Sequence, residues 1–424
     1  MRERSDASTE LAHTEAGAMP DELPPLELAG LVALVASVQG LATFAALALS
    51  TLAPKAAPSF GVGAEMVGYQ VSLVYVAAAA LSTFAGLFVR RHGAGTISLT
   101  AVLIGAAGLA GLASGNLLIA TAATLLIGLG YGLTNPAASH LLWRFGPSRH
   151  RNLIFALKQT GVPFGGILAA LFLPSASEIV GWQGAILTGM LLYLVLALLI
   201  ARMRRRWDDD RDPGAHIQGA LLDGMRLAMR DPTLRGISIM GLGYASAQLC
   251  LLTFIVTMLV QELGWSLVAA GGMATLMQIG GVAGRVGWSV LAQKIDRGIE
   301  VLIFLGVASA ACALLMAAAT QDWPRPALAL LLFVFGLCVV GWNGLYMAEV
   351  ARASGPKNIS VATGAVLVFS FVGIMVGPAM FATIYKLVGS YGTTFGIISL
   401  LPLSGAAALV PVLRQGRRGP SAPT

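Results

Sequence analysis

The chain has 424 residues, of which 56% are hydrophobic and only 11% charged, and it carries a formal net charge of +7. An ordinary soluble domain has about 25% charged residues, so this chain lacks the polar surface to cover itself in water. A string of soluble domains is excluded, and a polytopic membrane protein is expected.

In chain order, residues 1–28 are polar and acidic, with Glu3, Asp6, Glu10, Glu15, Asp21, Glu22 and Glu27. This is the reverse of the basic start of a cleavable leader, and it predicts a disordered cytoplasmic tail. A bilayer core of about 30 Å takes about 20 apolar residues as a helix. Runs of that kind predict spans at 29–53, 64–89, 96–113, 117–142, 151–174 and 182–202, then at 235–260, 266–292, 299–319, 326–350, 359–386 and 392–413. The third run is short and rich in Ala and Gly, so twelve spans are expected, or eleven if it fails. The fold class is an all-α membrane protein with twelve transmembrane helices in two pseudo-symmetric six-helix bundles, 29–203 and 235–414. A central loop at 204–234 and a cytoplasmic tail at 415–424 complete the chain.

The central loop opens Arg204-Arg205-Arg206, turns acidic at Asp208-Asp209-Asp210 and breaks at Pro213-Gly214. Beyond the break, Ile217, Leu221 and Met225 share one helical face, which predicts an amphipathic helix on the cytoplasmic leaflet. About thirty residues cannot form a catalytic or nucleotide-binding domain, and no P-loop or Ser/His/Asp set occurs. We therefore expect neither an enzyme nor an ATP-driven pump, and no cofactor. Cys250, Cys312 and Cys338 lie inside spans without metal or redox spacing, so no metal site is expected and they are assigned to packing.

Lys and Arg crowd alternate connections: Arg90 and Arg91, Arg144, Arg149 and Arg151, Arg202 to Arg206, Lys294 and Arg297, Arg352 and Lys357. The opposite connections hold Lys55, Arg325 and Lys386. The positive-inside rule then puts both termini in the cytoplasm of a bacterial inner membrane. The net charge is topology, and no nucleic-acid partner follows from it. The two halves also repeat. Asn135 precedes Arg144 by nine residues with Gly146-Pro147 after it, and Asn343 precedes Arg352 by nine with Gly355-Pro356 after it.

On these residues the chain resembles the major facilitator superfamily over about 29–414. The superfamily's loop signature after the second helix, roughly G-x-x-x-D-R-x-G, stands here as Gly86-Leu87-Phe88-Val89-Arg90-Arg91-His92-Gly93, with Arg90 in the acidic place. The fifth span carries Gly161-Val162-Pro163-Phe164-Gly165-Gly166, similar to a glycine–proline motif of the superfamily. The resemblance implies a monomeric secondary transporter that moves a small solute by alternating access. Helices two, five, eight and eleven would form the contact between halves, and helices one, four, seven and ten would line the cavity.

Pairs of glycines four apart, Gly161/Gly165, Gly280/Gly284 and Gly373/Gly377, fall on helices five, eight and eleven. Such spacing lets backbones approach closely, and we assign these pairs to the sliding interface. Arg91, Arg144, Glu349 and Arg352 are the expected gate. Polar residues at lipid depth are expensive, and Gln39, Asn135, Tyr244, Gln248, Gln278, Asn343 and Tyr346 are expected to line the solute site. Each could instead bond a neighbouring helix. Lys158 and Arg285 stand deepest among the basic residues, about seven residues from a helix end. They either snorkel to the headgroups or face the cavity, where Arg285 is expected to be the main contact for an anionic solute and Lys158 its partner across the cavity. The resemblance favours the cavity for Arg285, because oxalate and monocarboxylate transporters of the superfamily use an arginine on helix eight. A small, anionic solute such as a monocarboxylate is the expected substrate, and membrane lipids are the other expected partners. The alternatives are drug or metabolite efflux, and a transporter-like sensor.

Overall fold

The computed structural model describes residues 23–214, 229–354 and 359–417. The amphipathic helix expected from Ile217 onward and the Gly355-Pro356 repeat fall outside these residues. Among the described residues, eleven helical stretches are long and apolar enough to cross a membrane. The longest contains the helix Gly161–Trp207, whose 47 residues would span about 70 Å against a hydrocarbon core of about 30 Å. Gly181 divides it, with φ 74° and ψ 170° that only a residue lacking Cβ adopts without strain. Twelve crossings result among the described residues.

We number them α1 (Pro25–Ala56), α2 (Val67–His92), α3 (Ala94–Leu112), α4 (Leu117–Phe145), α5 (151–180), α6 (182–207), α7 (Pro232–Gln261), α8 (Leu267–Ile295), α9 (Gly298–Ala317), α10 (325–354), α11 (Ile359–Val388) and α12 (391–417). The short Ala- and Gly-rich third span is present as a full helix.

Three helices are interrupted. In α5, the piece Arg151–Gln159 ends just before Gly161. Pro163 explains the break, because its missing N–H cannot bond back to the carbonyl four residues earlier. In α10, Arg325–Val339 and Asn343–Ser354 are separated by a turn at Gly341. In α12, Tyr391–Ile398 and Leu400–Arg417 meet at Ser399.

The packing repeats between the halves. In the first bundle α2 and α3 lie on α4, α3 lies on α6, and α1 lies on α5 and α6. In the second, α8 and α9 lie on α10, α9 lies on α12, and α7 lies on α11 and α12. The bundles meet mainly through α2 with α11 and α5 with α8.

Six helical crossings per bundle put the start of α1 and the end of α12 on one face, here the terminal face. Bundle-to-bundle contacts lie toward the other, far face. Tyr69 Oη is 2.8 Å from Thr383 Oγ1, and the Ala379 amide donates to Ser72 Oγ at 3.0 Å. Gly68 abuts the Pro378 carbonyl, and Gly271 abuts the Ala170 carbonyl. On the terminal side of α2, α8 and α11, Gly86, Gly287 and Gly364 have no neighbouring atom within 4 Å of where a Cβ would stand. The contacts that join the bundles thus lie toward the far face.

That face is held together within the first bundle by the acidic run after α6. Asp208 accepts hydrogen bonds from the Gly95 and Thr96 amides and the Thr96 hydroxyl, capping α3. Asp209 and Asp210 pair with Arg144 at 2.5 and 3.2 Å, and Asp210 also meets His140 at 2.7 Å. Arg144 holds the Asp209 carboxyl below its ordinary pKa through this hydrogen bond. The three free cysteines are buried.

Candidate functional site

The cleft at mid-height is built from interrupted helices. The turn in α10 releases the Val340 carbonyl from a regular ladder. Arg285 Nε on α8 donates to that carbonyl at 3.4 Å, and Asn343 Nδ2 donates to it at 3.3 Å. One turn earlier, Trp288 Nε1 donates to the Leu337 carbonyl at 2.8 Å. The approach is possible because Gly284 and Gly341 face each other, leaving no side-chain layer between α8 and α10.

Arg285 is half-buried. With Nε committed, its terminal amino groups remain available. Across the cleft it lies within electrostatic range of Tyr131 on α4. The Tyr131 ring meets Tyr75 of α2 edge-on, with centroids 5.3 Å apart. Gln39 of α1 accepts from the Thr134 hydroxyl at 3.0 Å, while its own Nε2 is buried without a partner. A planar cation, two phenols and an unpaired amide donor thus come from both bundles.

Lys158 does not face Arg285 as an open partner. It is only 2% exposed and donates to Asn135 Oδ1 of the same bundle. Burial of a lysine demands such a partner, because an unpaired ammonium in an apolar interior is prohibitively costly. Asn343, the repeat mate of Asn135, has a different partner: Gln248 Oε1 accepts from it at 3.2 Å and from Trp342 Nε1 at 2.9 Å.

Other expected lining residues are placed elsewhere. Tyr244 turns into the second bundle and donates to the Leu302 carbonyl at 2.6 Å. Tyr346 donates to the Val366 carbonyl at 3.1 Å and lies 2.8 Å from the Ser370 hydroxyl. Both rings are buried, and a phenol in that position bonds an adjacent helix rather than a solute. Gln278 is buried at the α5–α8 contact, its amide filling the space where Gly166 lacks a side chain.

The glycine pairs also require correction. Gly161 and Gly165 seat against the Ala36 and Gly40 carbonyls of α1, Gly280 and Gly284 against the Phe333 and Leu337 carbonyls of α10, and Gly373 and Gly377 against Leu242 and Ser246 of α7. These seams all lie within one bundle. The glycines that do allow the bundles to touch are Gly68, Gly166 and Gly271, which no four-residue spacing singles out.

Of the gate residues, Glu349 is buried and lies 3.6 Å from Arg352, which also meets Asp296 at 3.3 Å. Arg144 is held by the acidic run described above, and Arg91 is exposed at the end of α2. Sequence reasoning did not single out Trp342, Tyr75 or Thr134. The position of Trp342 beside the α10 break was the available signal, but the break itself has no proline to mark it.

Residues 33–378 match the family model for the Major Facilitator Superfamily. The chain belongs to that superfamily. An uncharacterized MFS-type transporter of Mycobacterium tuberculosis is 24% identical over 67% of this chain, and the match spans 62% of that relative's length. A 4-hydroxybenzoate transporter of Pseudomonas aeruginosa is 25% identical over 90% of each chain. A gallate transporter of Pseudomonas putida is 27% identical over 69% of this chain and 70% of its own. Among solved structures, a bacterial homolog of the human lysosomal transporter Spinster, in an inward-facing and unoccupied conformation, superposes with a TM-score of 0.73. It covers 95% of this chain and all of that one at 13% identity.

Proposed function

We propose that this chain is a secondary active transporter of small organic anions, with aromatic monocarboxylates as the solute class. The observation that carries the reading is Arg285. Its Nε is tied to an α10 carbonyl, so the outer edge of the guanidinium is oriented and uncommitted. A guanidinium matches a carboxylate through two parallel hydrogen bonds, which an ammonium cannot do. Tyr131 and Tyr75 opposite supply aromatic surface and phenol groups that suit a hydroxylated ring. The similarity to transporters named for 4-hydroxybenzoate and gallate supports the same class.

Alternating access follows from the two-sided site. An anion bonded to Arg285 and to α4 gains both contacts only when the bundles approach on the terminal side. It therefore stabilises the closed form by its differential affinity for that form. We place the protein in the cytoplasmic membrane with the terminal face and both termini in the cytoplasm, since the basic residues gather on that face. Residues 29–203 and 235–414 are the two moving bodies.

Uptake of radiolabelled 4-hydroxybenzoate into proteoliposomes tests the reading. Accumulation should be competed by related aromatic acids and lost in Arg285→Ala at matched reconstitution. Accumulation of apolar amines in place of acids would establish efflux of drug-like solutes instead. Saturable binding without accumulation would establish a sensor. Cysteines placed at 210 and 322 should label from opposite sides, with only position 322 accessible in sealed cells.

A further inference from the structure

The far end of the first bundle holds a cavity that the transport cleft does not include. It measures about 240 Å³ and lies between Leu49 and Ala53 of α1, Gln70 and Leu73 of α2, and Ala120 of α4, beneath the 57–66 connection. Leu117 and Thr121 at its rim are exposed on the outside of the bundle, so the cavity opens sideways toward the surrounding membrane. Its lining is mostly apolar, and among its polar side chains Gln70 stands apart. Both amide atoms of Gln70 are shielded from solvent and have no hydrogen-bond partner.

The neighbouring hydroxyls do not serve it. Thr121 and Thr124 each donate to the carbonyl four residues earlier, at 2.8 Å, and Tyr69 is engaged with Thr383. Water is a poor occupant here. A water bonded to the Gln70 amide takes up about 30 Å³, a small part of a space whose remaining lining is mostly apolar. An amphiphile with a long apolar part and a carbonyl near its polar end suits both components. Depth agrees: Gln70 lies three residues into α2, about 5 Å below the far end of that helix. That is the boundary between headgroups and hydrocarbon.

We infer that this crevice binds one acyl chain of a membrane phospholipid, with the chain's ester carbonyl accepting a hydrogen bond from Gln70 Nε2. Tyr69 and Met66 on the same wall touch Thr383 and Lys386 of α11. A lodged chain therefore backs the α2 side of the closed far-end contact.

The test uses full-length protein, delipidated in detergent and titrated with phosphatidylethanolamine while thermal unfolding is followed. Wild type should be stabilised saturably. Gln70→Leu, which removes the unpaired amide at similar volume, should start at a higher unfolding temperature and require about five-fold more lipid for half the effect. Ala120→Phe, which fills the crevice, should unfold cooperatively and lose the response. Equal lipid responses in wild type and Gln70→Leu would overturn the site. So would a delipidated Gln70→Leu that is less stable than wild type, since the amide would then have an internal partner. Gln70 is remote from Arg285, so failure here leaves the transport reading untouched.

Discussion

The two bundles treat their deep basic residues in opposite ways. In the first, Lys158 is enclosed and bonded to Asn135 of its own bundle. In the second, Asn343 stands at the repeated position but donates to Gln248, which also accepts from Trp342, and the cation is Arg285 on a different helix. Arg285 is held by a carbonyl from an interrupted helix, which fixes its direction without consuming its outer edge. A duplicated six-helix unit has thus kept its polar positions and reassigned their partners. Depth alone does not distinguish a structural cation from a binding one. What distinguishes them is whether the donor capacity is already used.

The largest effect expected from this contrast is at Arg285. Arg285→Ala should abolish transport, and Arg285→Lys should weaken it sharply although the charge is kept. A lost charge-assisted contact in a partly desolvated site costs about 2–5 kcal/mol. Initial rates over a range of substrate concentrations, at equal reconstitution, decide this. A normal Arg285→Ala would show that the guanidinium only anchors α8 to α10.

Glycine replacements sharpen the same contrast between seams within and between bundles. Gly68→Val should leave the fold intact but push α2 away from Pro378, shifting the protein toward an open far end. Cysteine labelling of far-side cleft positions should rise several-fold. Gly165→Val should instead damage the α1–α5 seam, because a Cβ there would overlap the Gly40 carbonyl. Overpacking of that kind costs about 1–3 kcal/mol, visible as a lower unfolding temperature in detergent. If Gly165→Val altered labelling without loss of stability, the seam would be a moving one after all.

Asn135→Ala should be felt first in stability. It strips a buried lysine of its partner, and an unsatisfied buried group costs about 1–3 kcal/mol, and more when it carries charge. The apparent affinity for substrate should change less than in the Arg285 variants. Asn343→Ala should cost less stability than Asn135→Ala, since Gln248 retains the Trp342 bond.

The smallest effect belongs to the Arg144–Asp209 pair on the terminal face. Asp209 has a depressed pKa in the folded state. Its contribution is therefore present above the ordinary carboxylate value and fades as pH falls through the depressed one, below about 4. Asp209 is 59% exposed, so solvent screening keeps the contribution under about 1 kcal/mol. Asp209→Asn should flatten the acid limb of a stability profile slightly. A large loss at neutral pH would mean that the acidic run does more than cap α3 and hold Arg144.

The sequence by itself determined the solvent, the number of crossings, the doubled six-helix plan and the family, because hydrophobic length and the spacing of charged connections are local properties. A helix must hold about 20 apolar residues to cross the membrane wherever it lies, and a basic connection marks the same side whatever packs against it. Partners are not local. Gly161, Gly280 and Gly373 advertised close approach through their spacing, yet nothing in that spacing says which helix approaches. The tertiary structure gave each pair to a helix of its own bundle and gave the contact between bundles to Gly68, Gly166 and Gly271. Tyr244 and Tyr346 likewise read as cavity residues until their hydroxyls found carbonyls on α9 and α11. Lys158 and Arg285 looked equivalent in depth. Only the fold could decide that one ammonium would be absorbed by an asparagine while the other cation kept an open face, since hydrogen bonds across 23 and 55 residues of chain depend on where those segments pack.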